Sequence, residues 1–290
     1  MKQIPASELI LNPDGSIYHL KLKPEQIADD IILVGDPGRV KTVSSFFDSI
    51  DHKVQNREFL THTGTYKGKP ITCISSGIGT DNIDIVVNEL DALANIDLEK
   101  RVEKKEHRSL NFIRIGTSGG LQESIPVDSF IMTDISVGFD GMLNFYAGRN
   151  AICNLDAEAS FKQHMEWDSI LNTPYVVAAS EILKKRVGKD LKAGITISAP
   201  GFYGPQGRVL RLALRVPQLN EKMRKFDYKG SQITNYEMES SAIYGLSRML
   251  GHNALTICAV IANRYNKQYS KDYHPVVKKL IKTVLDRLAE

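Results

Sequence analysis

Residues 112–120 read "FIRIGTSGG", a short apolar run that ends in a glycine-rich turn. Continuous β-branched runs of this length, bounded by glycine or polar residues, are typical of strands that are covered on both faces. Similar runs recur along the chain at residues 31–35, 71–75, 129–137, 194–198 and 254–262. We therefore expect these segments to form the buried strands of a layered protein.

Helical periodicity lies between and after these runs. In residues 81–96, apolar side chains recur along one face, and Asp81 is a candidate N-cap. The C-terminal segment from Val276 to Leu288 repeats the pattern. Strands that alternate with helices indicate an α/β layered fold. Because we find no linker, low-complexity tract or internal repeat, we expect residues 1–290 to form a single domain.

The bulk composition argues against several classes of protein. A net charge of +3 is too small to favour a nucleic-acid partner. No apolar run is long enough to span a bilayer, and the N-terminus lacks the pattern of a signal peptide. The three cysteines form no CxxC pair, and the seven histidines show no metal-ligand spacing. We expect a cytoplasmic protein with no metal, nucleic-acid or membrane partner, in which the charged run 99–109 is a solvated helix end or loop.

Three of the strand-like runs end in glycine-bearing turns, "VGDPGR" at 34–39, "SSGIGT" at 75–80 and "RIGTSGG" at 114–120. Such turns at the carboxyl ends of strands let backbone N–H groups approach an anion. None of them matches the dinucleotide or P-loop consensus. Arg39 and Arg114 lie in two of these turns, and an arginine in an apolar run is costly to bury without a partner. A phosphate site and a structural pair with Asp or Glu explain these arginines equally well.

The stretch "NYEMESS" at residues 235–241 places two carboxylates, Glu237 and Glu239, just before an amphipathic run. Residues two apart do not share a helical face, so we expect the two side chains to point in different directions. For Glu239 alone, one interpretation is an acid that complements the dipole at a helix N-terminus. The other is a carboxylate that holds a ligand.

Six motifs, "VGDPGRV", "NREF", "RIGTSGG", "FYGPQGR", "NYEMES" and "VIANR", together resemble the nucleoside phosphorylase superfamily, and within it the uridine phosphorylases. The likeness runs from His19 to about Arg264. It implies a three-layer α/β/α fold around a mixed, partly barrel-like central sheet. It also implies reversible phosphorolysis, in which a nucleoside and phosphate give the free base and ribose 1-phosphate, for nucleoside salvage or catabolism.

The resemblance also implies a role for individual residues. The matched phosphate-binding residues are Gly35, Arg39, Arg57, Arg114 and Thr117. The matched ribose-binding residues are His19, Met238 and Glu239. The matched base-binding residues are Phe202, Gln206, Arg208 and Arg264. Within these sets, Glu239 would accept hydrogen bonds from the ribose hydroxyls and favour positive charge on the ring, and Glu237 would be structural.

The assembly and the cofactors follow from the same matches. His19 and Arg57 match residues that reach the active site of an adjacent subunit, so the resemblance implies a homo-oligomer with shared active sites. Phosphate is a substrate, and no cofactor is implied. The family pattern is compatible with a monovalent cation at the subunit interface.

Base preference depends on the leaving group. Purine phosphorylases resemble one another in placing an Asp after the late strand, where this chain has Asn263 and no acid. Gln206 and Arg208 offer amide and cationic donors to uracil, and Phe202 offers a face for stacking. We therefore predict a pyrimidine nucleoside as substrate. Pro205 departs from the Gly that relatives carry before the glutamine, which changes the backbone that aims Gln206.

Three alternatives remain at this point. A nucleosidase of the same superfamily would use water, but it would not need the three matched arginines. A nucleoside phosphorylase with purine or other base specificity would keep the phosphate residues and differ at the base. A nucleoside-binding protein without turnover would keep the whole site, and nothing obligatory for turnover is missing from the sequence.

Overall fold

A computed structural model describes residues 3–290 of the chain. Its helices are α1 Pro37–Ser44, α2 Thr80–Asn95, α3 Leu155–Met165, α4 Glu181–Arg186, α5 Leu219–Lys225, α6 Ser240–Met249 and α7 His274–Ala289. Its first strands are β1 Asp30–Val34, β2 Ser49–Asn56, β3 Phe59–Tyr66, β4 Lys69–Ser75, β5 Ile96–Asp97, β6 Val102–Glu103 and β7 Asn111–Gly120. The others are β8 Phe130–Gly138, β9 Tyr175–Ala178, β10 Lys192–Ser198, β11 Asp227–Tyr228, β12 Ser231–Glu237, β13 Asn253–Asn263 and β14 Gln268–Tyr269.

The centre of the molecule is a small closed barrel. Strands β7, β13, β8, β10 and β12 pair in that order, and β12 pairs again with β7 through Tyr236 and Gly119 to close the ring. The pairings are mixed, because β7–β13, β8–β10 and β10–β12 are parallel whereas β13–β8 and β12–β7 are antiparallel. The predicted mixed, partly barrel-like sheet is therefore confirmed.

An open wing of the sheet extends from the barrel. Strand β1 pairs in parallel with β7 on one side and with β4 on the other, and β3 and β2 continue the wing as antiparallel strands. Helices cover the sheet in two groups, α2 packed on α6 and α1 packed on α7. This is the three-layer α/β/α arrangement that the resemblance implied. It brings the carboxyl ends of β1, β4 and β12 to one region.

The six strand predictions are confirmed by β1, β4, β7, β8, β10 and β13, and the two helix predictions by α2 and α7. The N-cap prediction is wrong, because α2 begins at Thr80 with Gly79 in the cap position, and Asp81 lies in the first turn. The run 99–109 is mostly exposed and irregular, with only the short strand β6 inside it. Among residues 3–290, no helix is long and apolar enough to cross a membrane.

Candidate active site

A cavity of about 730 Å³ opens where the wing meets the barrel. Its walls come from the turns after β1 and β4, the late part of β7, the end of β12 and the end of β13. The predicted site residues that line it are Gly35, Arg39, Arg114, Thr117, Phe202, Gln206, Arg208, Met238 and Glu239. The fold therefore brings most of the dispersed motifs into one cavity.

Arg114 lies at the floor of this cavity and is almost completely buried. Its Nη2 donates to Glu239 Oε2, and its Nε lies 3.5 Å from Glu237 Oε2. Burial alone would lower the pKa of Arg114, but the two carboxylates outweigh burial and raise it above the ordinary value. The structural ion pair that the sequence left open is thus present. Nη1 of Arg114 has no hydrogen-bond partner within residues 3–290, so one buried donor stays free.

Gly116 is the residue that lets Arg114 adopt this position. A Cβ at Gly116 would collide with Nη1 of Arg114 and would lie 2.9 Å from Cys258 Sγ. Real side chains do not tolerate such contacts, because protein interiors are closely packed. The glycine in "RIG" therefore has a steric reason: it leaves room for the guanidinium of the residue two positions earlier.

Glu237 and Glu239 have different hydrogen-bond partners at the start of α6. Glu237 accepts backbone hydrogen bonds from Glu239 (3.0 Å) and Ser240 (3.0 Å) and a hydroxyl bond from Ser240 (2.6 Å). It satisfies backbone donors at the start of the helix, which fits its predicted structural role. The prediction that the two side chains point apart is wrong. The helical spacing rule does not apply here, because Glu237 ends β12 and both carboxylates contact Arg114.

Glu239 links three parts of the cavity. One carboxylate oxygen accepts from Arg114 and the other accepts from the backbone N–H of Gly79 at 2.9 Å. Gly79 has φ +101°, a conformation that glycine adopts readily and other residues rarely do. The turn "SSGIGT" is therefore used to hold a carboxylate of this chain. Because Glu239 is almost fully buried and both its oxygens are engaged, its position is fixed before any substrate arrives.

Arg39 is a different kind of arginine from Arg114. It projects from the first turns of α1, and its Nη1 donates to the backbone oxygen of Ile115 at 3.3 Å. No carboxylate within residues 3–290 pairs with it. Burial, together with the positive charge of Arg114, lowers the pKa of Arg39. Two cations, Arg39 and Arg114, therefore lie close together, and only Arg114 among these two has a carboxylate partner in the described residues. This end of the cavity is suited to an anion.

The opposite end of the cavity is formed by the segment 202–208, here called the base loop. Gln206 is buried, and its Oε1 accepts from Arg208 Nη1 (2.7 Å) and Arg264 Nη2 (2.8 Å). The Arg208 guanidinium stacks 3.6 Å from the centre of the Phe202 ring. Burial and the charge of Arg208 lower the pKa of Arg264 to about 10. With its oxygen occupied by two arginines, Gln206 presents its amide N–H groups as free donors.

Pro205 is compatible with the buried position of the Gln206 side chain. It lies inside a short 3₁₀ turn, Gly204–Gln206, at a position where no backbone donor is needed. The backbone N–H of Gln206 still donates to Tyr203 at 3.1 Å, and Gly207 follows with φ +70°. The proline and the glycines thus form a tight turn that leaves the Gln206 side chain buried in the cavity wall.

Comparison with known proteins agrees with this geometry. A family model described as the phosphorylase superfamily matches residues 29–290. The chain belongs to that superfamily. A uridine phosphorylase of Thermococcus kodakarensis is 30% identical over 264 residues, which cover 89% of this chain and 81% of the relative. A purine nucleoside phosphorylase of DeoD type from Listeria welshimeri is 29% identical over 243 residues, covering 83% of this chain and 85% of the relative.

A solved structure gives the same result in three dimensions. It is a Trypanosoma brucei nucleoside phosphorylase, described as showing uridine phosphorylase activity. It has 32% sequence identity and a TM-score of 0.86, and the match covers 97% of this chain and 99% of that one. The similarity to this phosphorylase therefore extends over almost the whole chain.

Two residues matched to the phosphorylase motifs lie away from this chain's own cavity. His19 Nδ1 lies 2.6 Å from Glu89 Oε1, and the backbone oxygen of His19 accepts from Asn56 Nδ2 at 2.8 Å. Arg57 is exposed, with its guanidinium 5.9 Å from the centre of the Tyr18 ring. The two segments therefore lie side by side on the surface. Arg264 is absent from the cavity lining as well, but it reaches the site through Gln206.

The structure also adds residues that the sequence did not single out. Tyr236 lines the cavity beneath Arg264, whose guanidinium lies 4.9 Å from the ring centre. The Tyr236 hydroxyl is buried without a partner in residues 3–290, and burial raises its pKa. Asn82, Ile78 and Tyr269 complete the rim. Tyr236 lies in the "NYEMES" motif, but only the fold shows that it lines the cavity.

Three potential metal ligands do come together, away from this cavity. Side-chain atoms of Asp91, His107 and His252 lie within 4.8 Å of one another. His252 Nδ1 accepts from the backbone N–H of Leu110 at 3.1 Å, so in the neutral ring Nε2 carries the proton, which it shares with Asp91 at 3.0 Å. Both ring nitrogens of His252 are then engaged, and exposed His107 bonds to the backbone oxygen of Leu250 at 2.9 Å, so hydrogen bonds account for the positions of both histidines.

Proposed function

We propose that this phosphorylase-superfamily member catalyses the reversible phosphorolysis of uridine, giving uracil and ribose 1-phosphate. One observation carries the proposal: one cavity is lined by an arginine with no carboxylate partner among residues 3–290, a fixed carboxylate and an amide bound by two arginines. The first, Arg39, suits phosphate. The second, Glu239, suits ribose hydroxyls, and the third, Gln206, suits a base rich in carbonyl oxygens. The named activities of the uridine phosphorylase relatives support the same substrate.

Phosphate would bind between Arg39 and the free Nη1 of Arg114, with Gly35 and Thr117 in the adjoining wall. Charge-assisted hydrogen bonds from arginine are strong, and the planar guanidinium can donate to two phosphate oxygens at once. Phosphate bound there is already oriented for attack on the anomeric carbon, so the reaction needs no further diffusional encounter. Positioning of this kind supplies a large part of the rate in bimolecular reactions.

Glu239 would accept hydrogen bonds from the ribose hydroxyls, with Met238 packed on the sugar. As the glycosidic bond stretches, positive charge grows on the ribose ring, and a fixed carboxylate stabilises it. The pair with Arg114 keeps that carboxylate ionised and in place. No covalent intermediate with the protein is needed, because phosphate is the nucleophile.

The departing uracil carries negative charge on its carbonyl oxygens. Arg208, Arg264 and the amide N–H groups of Gln206 would stabilise that charge, with Phe202 beside the ring. A purine would need an acid near Asn263. Asn263 instead donates to the backbone oxygens of Gln122 (2.8 Å) and Ile125 (2.6 Å), so its side chain holds the 122–125 backbone in place. This arrangement favours a pyrimidine over a purine.

We further propose a cytoplasmic homo-oligomer, with one domain over the chain, in which His19 and Arg57 complete the site of a neighbouring subunit. The exposed position of Arg57, outside its own cavity, supports this assignment. The reaction as proposed needs no cofactor, and a monovalent cation would bind only at the subunit interface. Mixing His19→Ala with Glu239→Ala subunits should restore activity through hybrid sites, whereas a fully active monomer in sedimentation would contradict sharing.

The test of the proposed function is a panel of nucleosides with and without phosphate. Uridine should be cleaved only when phosphate is present, and cytidine, inosine and adenosine should react poorly. Cleavage without phosphate would indicate a nucleosidase. Faster cleavage of inosine than of uridine would indicate a purine phosphorylase, the activity named for the Listeria relative. Tight binding of uridine with no cleavage would indicate a binding protein.

A further inference from the structure

A second cavity, of about 690 Å³, lies against the base loop and is separate from the active-site cavity. We call it the apolar cavity. Its walls are almost entirely apolar and include Phe139, Trp167, Tyr203 and Pro205, together with the segment 210–216. The phosphorolysis proposed above uses none of these side chains. A concave apolar site of this size is the usual form of a small-molecule site.

The rim of the apolar cavity carries more positive than negative charge. Arg208, Arg211 and Arg215 line it, and in the described part of the chain only Arg215 has a carboxylate partner, Asp168 at 2.6 Å. Arg211 is exposed and has no hydrogen-bond or ion-pair partner within residues 3–290. An apolar body with unpaired guanidinium groups at the rim matches a ligand with an apolar body and one negative charge.

The apolar cavity and the active site share one side chain. Arg208 lines both cavities, stacks on Phe202 and donates to Oε1 of Gln206 at 2.7 Å. An anion in the apolar cavity would compete with Gln206 for this guanidinium. Because coupling between two binding sites is reciprocal, uridine would weaken anion binding to the same extent.

We propose that the apolar cavity binds an aromatic or aliphatic monoanion, and that its occupation weakens nucleoside binding through Arg208. Anion binding in the apolar cavity is independent of the proposed function, whereas its effect on nucleoside binding rests on that function. The chain contains a single tryptophan, Trp167, and it lines the apolar cavity. Its fluorescence therefore reports occupation of this cavity directly, whether or not the protein turns over a nucleoside.

The experiment uses two fluorescent probes that differ in charge: anilinonaphthalene sulfonate, which is an anion, and phenylnaphthylamine, which is neutral. We expect saturable quenching of Trp167 with energy transfer to both probes, and about 1.4- to fivefold tighter binding of the sulfonate, the range for an exposed charge pair. Arg211→Ala should remove that difference. Lys185→Ala, which removes an exposed charge elsewhere, should leave it unchanged.

The coupling is measured in the same cuvette. The sulfonate should raise the KM for uridine and leave the KM for phosphate unchanged, and added uridine should weaken sulfonate binding. Absence of saturable quenching overturns the site, and equal binding of both probes overturns its charge preference. Unchanged uridine KM at saturating probe overturns the coupling. If Leu212→Asp dissociates an oligomer and the native assembly shows no quenching, this face is a subunit interface and the proposal fails.

Discussion

Arg114 and Glu239 form a buried ion pair at the floor of the active-site cavity although 125 positions separate them in the chain. Glu237 lies 3.5 Å from the same guanidinium, so one cation contacts two acids. We expect Arg114→Ala to lower the free energy of unfolding by about 3–5 kcal/mol, because it leaves buried carboxylates unpaired. Urea denaturation measures the loss, and Arg114→Ala with Glu239→Gln should recover part of it. A single variant as stable as the wild type would contradict the pairing.

Arg39 gives the cleaner test of phosphate binding, because its replacement leaves no orphaned carboxylate. Arg39→Met should raise the KM for phosphate and lower kcat by about thirtyfold to a thousandfold, the range for one lost charge-assisted contact in a closed site. Lys41→Met, on the same helix but exposed, is the matched control and should change neither constant. Normal turnover by Arg39→Met at low phosphate would remove Arg39 from the site.

Gln206 is expected to recognise the base by donating, because two arginines occupy its oxygen. Gln206→Ala should lower kcat/KM for uridine by roughly five- to 150-fold, as expected for a lost buried hydrogen bond, with phosphate binding nearly intact. Gln206→Glu keeps an acceptor for Arg208 and Arg264 but lacks the N–H donors. It should also lose uridine activity, and it should raise the ratio of cytidine to uridine turnover, because a carboxylate accepts from the cytosine amine. An active Gln206→Glu enzyme with unchanged base preference would show that the donor is not used.

Tyr236 lines the cavity, and its buried hydroxyl has no hydrogen-bond partner in the described part of the chain, so we expect it to contact the nucleoside. Tyr236→Phe keeps the ring beneath Arg264 and should lower kcat/KM for uridine by roughly threefold to tenfold, the value of one neutral hydrogen bond. The control is Tyr244→Phe, whose hydroxyl is already bonded to Thr133 O (2.8 Å) and Thr256 N (2.7 Å). That change should lower stability and leave KM unchanged. A more stable Tyr236→Phe enzyme with native kinetics would mean that this hydroxyl touches no substrate.

The sequence predicts the buried strands best, because a continuous apolar run has one structural explanation. Apolar β-branched runs became buried strands because such runs are covered on both faces in this fold. The hairpin of β2 and β3 was not predicted. In β2, exposed and half-buried residues alternate and the side chains are largely polar, and β3 is rich in threonine and includes a histidine and a glycine. Strand β12 has no continuous apolar run that predicts it, and the two acids near its end suggest the approach to a helix.

The partners of the site residues depend on distant contacts that no local pattern contains. Whether Arg114 holds a carboxylate or an anion is decided by closure of the barrel, which places β7 beside β12. The orientation of Gln206 likewise depends on Arg264, 58 positions away. Most of the residues in the matched motifs line one cavity, but their hydrogen bonds depend on contacts between distant strands and loops.

The most direct test of the central claim is the identity of the sugar product. Purified protein is incubated with uridine and inorganic phosphate, and the reaction is followed by phosphorus NMR and by uracil absorbance. The account predicts that ribose 1-phosphate appears in equal amount to uracil, and that adding both products regenerates uridine. Release of uracil with free ribose and no loss of inorganic phosphate would contradict it.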